Sequence, residues 1–169
     1  MKKMFATINR AFIAIALVTL TLPACNDGDD EEPQNNTQRV SIQLSGAQEI
    51  PAINSSGSGS ADITYDRASR MISYTVTWTL GTSSTTTTGM HFHGAENGSD
   101  TTSSPVVIPI TGFTSANTGT FSGVTRELTD AEINQLYAGK WYLNVHSDTF
   151  PAGELRGNIK FPEGSSPAY

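Results

Sequence analysis

Period-two alternation is the feature that most narrows what this chain can fold into. From Arg39 onward apolar residues recur at every second position: Val40, Ile42 and Leu44; Ala61, Ile63 and Tyr65; and, over a longer run, Ile72, Tyr74, Val76, Trp78 and Leu80. Successive side chains of a strand point to opposite faces, so each run offers one face to a core and one to water. Further strands are expected at 89–93, 106–110, 119–124, 140–146 and 154–161. Turn-forming stretches separate the first runs, among them Asn54-Ser55-Ser56-Gly57-Ser58-Gly59 and Tyr65-Asp66-Arg67. About eight short strands at this spacing predict an all-β antiparallel sandwich or barrel.

One segment departs from the alternation. In Leu128-Thr129-Asp130-Ala131-Glu132-Ile133-Asn134-Gln135-Leu136-Tyr137-Ala138-Gly139, Thr129 and Glu132 have capping-box spacing, and Ile133, Leu136 and Tyr137 share a helical face. Gly139 is a natural C-terminal stop. The expectation is one short helix at about 130–138. The Thr- and Ser-rich stretches 82–88 and 99–104 read as solvated linkers.

The N-terminus says where such a domain works. Lys2, Lys3 and Arg10 precede an apolar run from Ala11 to Leu22, the layout of a secretory signal and too short to span a bilayer as a helix. The run ends in Leu22-Pro23-Ala24-Cys25, which resembles the lipobox of bacterial lipoproteins. That resemblance implies a signal peptide over 1–24 and lipidation at Cys25. Cys25 is the only cysteine, so an exported chain could not pair it internally. Asp27, Asp29, Asp30, Glu31 and Glu32 follow at once and cannot bury apolar surface, which predicts an acidic flexible tether over 25–38. An acidic run in this place also resembles the surface-export signal of some Gram-negative lipoproteins. The folded domain is then 39–162, with a disordered tail at 163–169. A formal net charge of −6, with few and scattered basic residues, speaks against a nucleic-acid partner. The expected partners are a membrane, through the N-terminal lipid anchor, and an unknown extracellular or periplasmic ligand. The expected location is the cell envelope, at the outer membrane and in one reading on its surface.

The chain has three histidines. His91 and His93 stand one residue apart in Gly89-Met90-His91-Phe92-His93-Gly94 and share one face of a strand. His146 ends Trp141-Tyr142-Leu143-Asn144-Val145-His146, where Trp141, Leu143 and Val145 would face the core and Tyr142, Asn144 and His146 the other side. If the two strands are neighbours, the three imidazoles converge as a metal site with one open position. The competing reading is a hydrogen-bonded cluster without metal. Other chemistries have less support: no serine lies in a nucleophile-elbow pattern, and the carboxylates are unpaired in sequence. Glu154 and Arg156 share one face of the last strand and could join Glu49 in an ion-pair network, either orienting an imidazole or serving as a fold-specifying salt bridge.

Three motifs carry a family resemblance: Leu44-Ser45-Gly46-Ala47-Gln48-Glu49-Ile50-Pro51; His91-Phe92-His93-Gly94; and Trp141-Tyr142-Leu143-Asn144-Val145-His146-Ser147 followed by Pro151-Ala152-Gly153-Glu154-Leu155-Arg156-Gly157. In this order they resemble the CHRD domain, a module of exported proteins, over the whole region from about Val40 to about Phe161. The resemblance implies an extracytoplasmic β-sandwich and brings no established activity with it. A more distant similarity is to copper/zinc superoxide dismutases. By that likeness His91, His93 and His146 match three copper ligands, and Arg156 matches an arginine that steers an anionic substrate. The chain departs from that pattern: it has no fourth histidine to bridge two metals and no cysteine pair for a disulfide. A dismutase on this chain would be copper-only.

The fold expected is therefore an antiparallel Greek-key β-sandwich, superoxide-dismutase-like or immunoglobulin-like, with one short helix. The function expected first is a lipid-anchored module that holds one copper or zinc ion through His91, His93 and His146. The second is a metal-free surface binding or adhesion module, and the third a copper-only oxidoreductase, with no residue assigned as catalytic.

Overall fold

The computed structural model describes residues 36–163 and Ser165. The signal peptide expected over 1–24, Cys25, and most of the expected tether and tail lie outside the described residues. Eight strands and one helix follow in chain order: β1 (Thr37–Ser45), β2 (Ser58–Asp66), β3 (Met71–Thr79), β4 (Thr87–Gly94), β5 (Val106–Pro109), β6 (Thr118–Val124), α1 (Asp130–Tyr137), β7 (Trp141–Ser147) and β8 (Leu155–Ile159). Each run of alternation has become a strand. The first opens at Thr37 rather than Arg39, because Thr37 and Gln38 already pair with Asp66 and Tyr65.

All pairings are antiparallel, in the order β5-β4-β7-β8-β1-β2-β3-β6. β1 and β8 share one register pair, Ser45 with Arg156. At that thin seam the sheet curls over, so that β5, β4, β7 and β8 face β1, β2, β3 and β6. The rings of Tyr74 on β3 and Phe92 on β4 meet across the gap, with centroids 5.2 Å apart. Ile42, Leu44, Ile63, Ile72, Val76, Trp78, Met90, Phe92, Trp141, Leu143, Val145, Leu155 and Ile159 fill the interior between the halves. These are the inward members of the alternating runs, and their burial is what fixes the register of each strand. The chain crosses between the halves from β3 to β4, β5 to β6 and β6 to β7, the interleaving of Greek-key sandwiches. In the immunoglobulin order the second strand lies against the fifth; here β2 lies against β3.

The helix caps as its sequence requires. Thr129 Oγ1 accepts the Glu132 amide at 3.3 Å, while Glu132 Oε2 accepts the Thr129 amide at 2.8 Å. Ile133 and Leu136 face the core, and Gly139 at φ +68 turns the chain into β7. The stretch 82–88 is a correction to the solvated linker expected there. Thr85 and Thr87 are buried, and Thr87 Oγ1 donates to the Ala116 carbonyl at 2.8 Å. A threonine can satisfy its hydroxyl on a neighbouring backbone and bury its methyl, so composition alone misjudged it.

Candidate metal centre

β4, β7 and β8 are consecutive in the sheet, and their register sets side chains beside one another on the face turned away from the core. One row is His91, Asn144 and Arg156; the next is His93, Tyr142 and Asn158; Gly89 stands opposite His146. An outer sheet face is usually wet, but this one is roofed by the turn at Gly46–Gln48 with Glu49 and by the loops 95–105 and 148–154. Arg156 is 1% exposed, Asn144 3%, Glu49 7% and His93 8%. A buried polar layer is thus built on the outside of the sheet, and all three histidines belong to it.

Two of the imidazoles have their tautomer fixed. His93 Nδ1 lies 2.9 Å from the Ser104 carbonyl and His146 Nδ1 2.9 Å from the Pro151 carbonyl. A carbonyl only accepts, so both Nδ1 atoms carry the proton and both Nε2 atoms keep a bare lone pair. His91 Nδ1 is 3.1 Å from His146 Nε2, and without an ion it donates there. His93 Nε2 has no partner among the described residues although it is buried. The candidate ligand atoms of His91, His93 and His146 all lie within 4.8 Å of one another. Two nitrogens bound to one ion at ~2.1 Å stand about 3.4 Å apart in tetrahedral geometry and at most about 4.2 Å apart, so an ion would draw the widest pair inward by roughly 0.5–1.5 Å. His91 and His146 are only partly buried and can supply that movement.

Burial first, then the neighbouring histidines and Arg156, hold the His93 imidazolium down to a pKa of about 4, against a hydrogen bond to Ser104 that acts the other way. His91 is likewise lowered, by burial and by the nearby His146. Both rings are neutral at pH 7, the form that ligates a metal.

Glu49, Glu154 and Arg156 do not form the ion-pair network expected from sequence. Glu49 Oε1 accepts Asn144 Nδ2 at 2.7 Å, and burial, only partly offset by Asn144 and Arg156, pushes its carboxyl up to about 7. Glu49 is not among the residues that converge with the histidines. Glu154 Oε1 instead accepts Ser55 Oγ and the Gly81 amide, each at 2.7 Å, tying the last strand to two loops. Arg156 enters no ion pair among the described residues. Its guanidinium donates to the carbonyls of Thr102 and Ser99, each at 3.1 Å, and to Asn158 Oδ1 at 3.1 Å. The guanidinium is enclosed and its donors are taken up by these three acceptors, so it presents no free fork to an anion at the surface. Sequence reasoning placed Tyr142 and Asn144 on the histidine face but gave them no part, and it could not foresee Ser104 and Pro151, which act through backbone carbonyls.

Opposed shifts give the metal-free protein a distinctive pH profile. Between about 4.5 and 7 the folded state holds a Glu49 proton that the unfolded chain has released, so stability falls as pH rises through that window. Between 6.5 and about 4 the unfolded chain binds a His93 proton that the folded state refuses, so stability falls as pH falls. The two slopes oppose each other where they overlap. Glu49→Gln removes the falling slope, and the urea midpoint of that variant should climb more steeply from about pH 4.5 to pH 6.5 than the parent's, in which Glu49 offsets part of the histidine rise. Parallel profiles for the two proteins would refute the assignment.

A family model described as the CHRD domain matches residues 40–159, the span that contains every strand from Val40 of β1 to the end of β8 and all three histidines. Searches of curated proteins and of solved structures return no match.

Proposed function

The chain belongs to the CHRD domain family, and on that premise we infer that it is a metal-binding module which holds one copper or zinc ion through His93 Nε2, His146 Nε2 and His91 Nδ1. The observation that carries this is the bare, buried Nε2 of His93. A buried acceptor without a partner costs about 1–3 kcal/mol, and of the five unpartnered buried side-chain atoms among the described residues this is the one that belongs to the three converging histidines. The hydrogen bond between His91 and His146 is the one feature that favours a metal-free cluster, since it satisfies both rings. It leaves His93 orphaned, whereas an ion takes all three lone pairs and costs only that one bond, with the His91 proton moving to its other nitrogen.

Copper is the better candidate by the general affinity order for divalent metals, and three neutral imidazoles suit either copper or zinc. An open position is shared with catalytic sites; the reading of binding rather than turnover rests on the three histidines converging with no carboxylate beside them among the described residues. The anchor at Cys25 and residence in the cell envelope belong to the same reading and rest on the N-terminal sequence.

One preparation tests both parts. Untagged protein should require detergent for release from membranes and should contain about one copper or zinc per chain, or take up one copper(II) saturably at pH 7. Because two of the imidazoles resist protonation, uptake should persist below the usual histidine range and fail only as the solution becomes distinctly acidic. Release by buffer alone would sink the anchor; a folded domain with no saturable uptake would sink the metal site.

A further inference from the structure

Arg156 is a buried cation with no salt-bridge partner among the described residues, though it interacts electrostatically with Glu49 and Asp100, and its surroundings show what it acts upon. Its Cζ sits 3.7 Å from the centroid of the Tyr142 ring. The His93 ring lies parallel to the same ring, 4.7 Å between centroids and 4° between planes. β7 runs between β4 and β8, so Tyr142 is flanked by His93 from one side and by Arg156 from the other. The fork of Arg156 meanwhile holds the Ser99 and Thr102 carbonyls. Two residues on, Ser104 receives the His93 Nδ1 proton on its carbonyl and donates its amide to Tyr142 Oη at 3.1 Å. Both paths from Arg156, through the ring and through the loop, end on His93.

We propose that Arg156 is the positioning residue of the metal centre: it clamps the 99–104 loop and the Tyr142 ring so that His93 keeps its proton on Nδ1 and aims Nε2 at the other two imidazoles. The inference rests on the metal reading for its consequence and on these contacts for its substance. Fold stability alone does not account for the residue. Desolvating a guanidinium is costly, and an apolar side chain of similar length often serves a fold as well or better. What an apolar chain cannot do is bind two carbonyls and a ring face at once.

The test uses Arg156→Met, Arg156→Lys and Tyr142→Phe in the full chain, each checked for folding by circular dichroism. Nitrogen-15 spectra of the histidines in metal-free protein should show His93 as a single Nδ1–H tautomer in the parent and a mixture in Arg156→Met. Copper(II) affinity, read by competition with a chromophoric chelator, should fall 10–100-fold in that variant, the usual effect of removing a group that orients a ligand. Arg156→Lys keeps the charge but not the fork, and should resemble Arg156→Met. Full recovery by lysine would overturn the clamp, as would an unchanged tautomer in Arg156→Met. If Arg156→Met does not fold, Arg156→Lys decides: it keeps the charge and loses the fork, and an unchanged His93 tautomer there overturns the proposal; Tyr142→Phe, which keeps the ring face and the two loop carbonyls that Arg156 holds, should shift the tautomer less than either. If the parent takes up no copper, the metal reading fails while the tautomer measurement still decides the clamp.

Discussion

His93→Ala should lower copper affinity at least ~100-fold while leaving the metal-free domain nearly as stable as before. The two effects separate because opposing terms meet at this side chain. Removing the imidazole forfeits its parallel contact with Tyr142, a term of about 0.5–1.5 kcal/mol for an aromatic pair, and its hydrogen bond to the Ser104 carbonyl, a net term of about 0.5–1.5 kcal/mol. It also removes a buried nitrogen that has no partner, which relieves about 1–3 kcal/mol. Hydrophobic contacts are not at stake, since His93 stands on the outer face opposite Phe92. A ligand poised for a metal is the kind of residue whose loss costs function and spares the fold. His146→Ala acts differently, for its Nε2 is the acceptor of His91 and its Nδ1 secures the Pro151 loop. Combined with His93→Ala it should add little further loss of affinity, because either change dismantles the same site. Isothermal titration with copper(II) and chemical unfolding in chelator measure the two quantities. A variant that loses several kcal/mol of stability and binds metal like its parent would return His93 to the role of strand filling.

The strand positions were legible because alternation is a direct consequence of strand geometry, and each inward residue from Ile42 to Ile159 reports on burial. The convergence of His91, His93 and His146 was legible only conditionally. Their faces follow from period two, but the adjacency of β4 and β7, whose sequences lie about fifty residues apart, depends on how the chain crosses between the halves. The carboxylates were misjudged for a physical reason. Residues 154 and 156 share a face by period, yet Glu154 finds a serine hydroxyl and a backbone amide and Arg156 finds two carbonyls, and no residue pattern records where a loop's backbone will stand. The same blindness hid Ser104 and Pro151, whose side chains have no part in the bonds that orient His93 and His146. A motif such as His-Phe-His marks the ligands; the groups that aim them are written in the path of the neighbouring loops.

Gly153 shows how far that path is constrained, and Gly153→Ala should be among the most damaging single changes in the domain. Its φ of +137 lies where L-residues are strained, and a Cβ there would stand 2.6 Å from Asn144 Nδ2, 2.7 Å from Glu49 Oε1 and 2.8 Å from Asn144 Oδ1. None of these atoms can retreat freely, because Asn144 and Glu49 are buried and bonded to each other. The backbone strain is worth about 1–3 kcal/mol. Breaking the bond beneath it leaves buried polar atoms unsatisfied at a similar cost, so a loss of about 3 kcal/mol or more is expected, a drop in Tm on the order of 10 °C. Gly112→Ala is the control that separates the two causes: its φ is +91, but the nearest atom to a Cβ is Phe121 Cζ at 3.6 Å, an ordinary contact. It should pay for strain alone and melt only a few degrees below the parent. The displacement at Gly153 would also pull on Pro151, whose carbonyl fixes the His146 tautomer, so any folded fraction of Gly153→Ala should bind copper(II) more weakly while Gly112→Ala binds it normally. Equal melting temperatures for the two variants would mean that the Glu49–Asn144 layer yields more easily than its burial implies, and with it the rigid scaffold on which the three imidazoles depend.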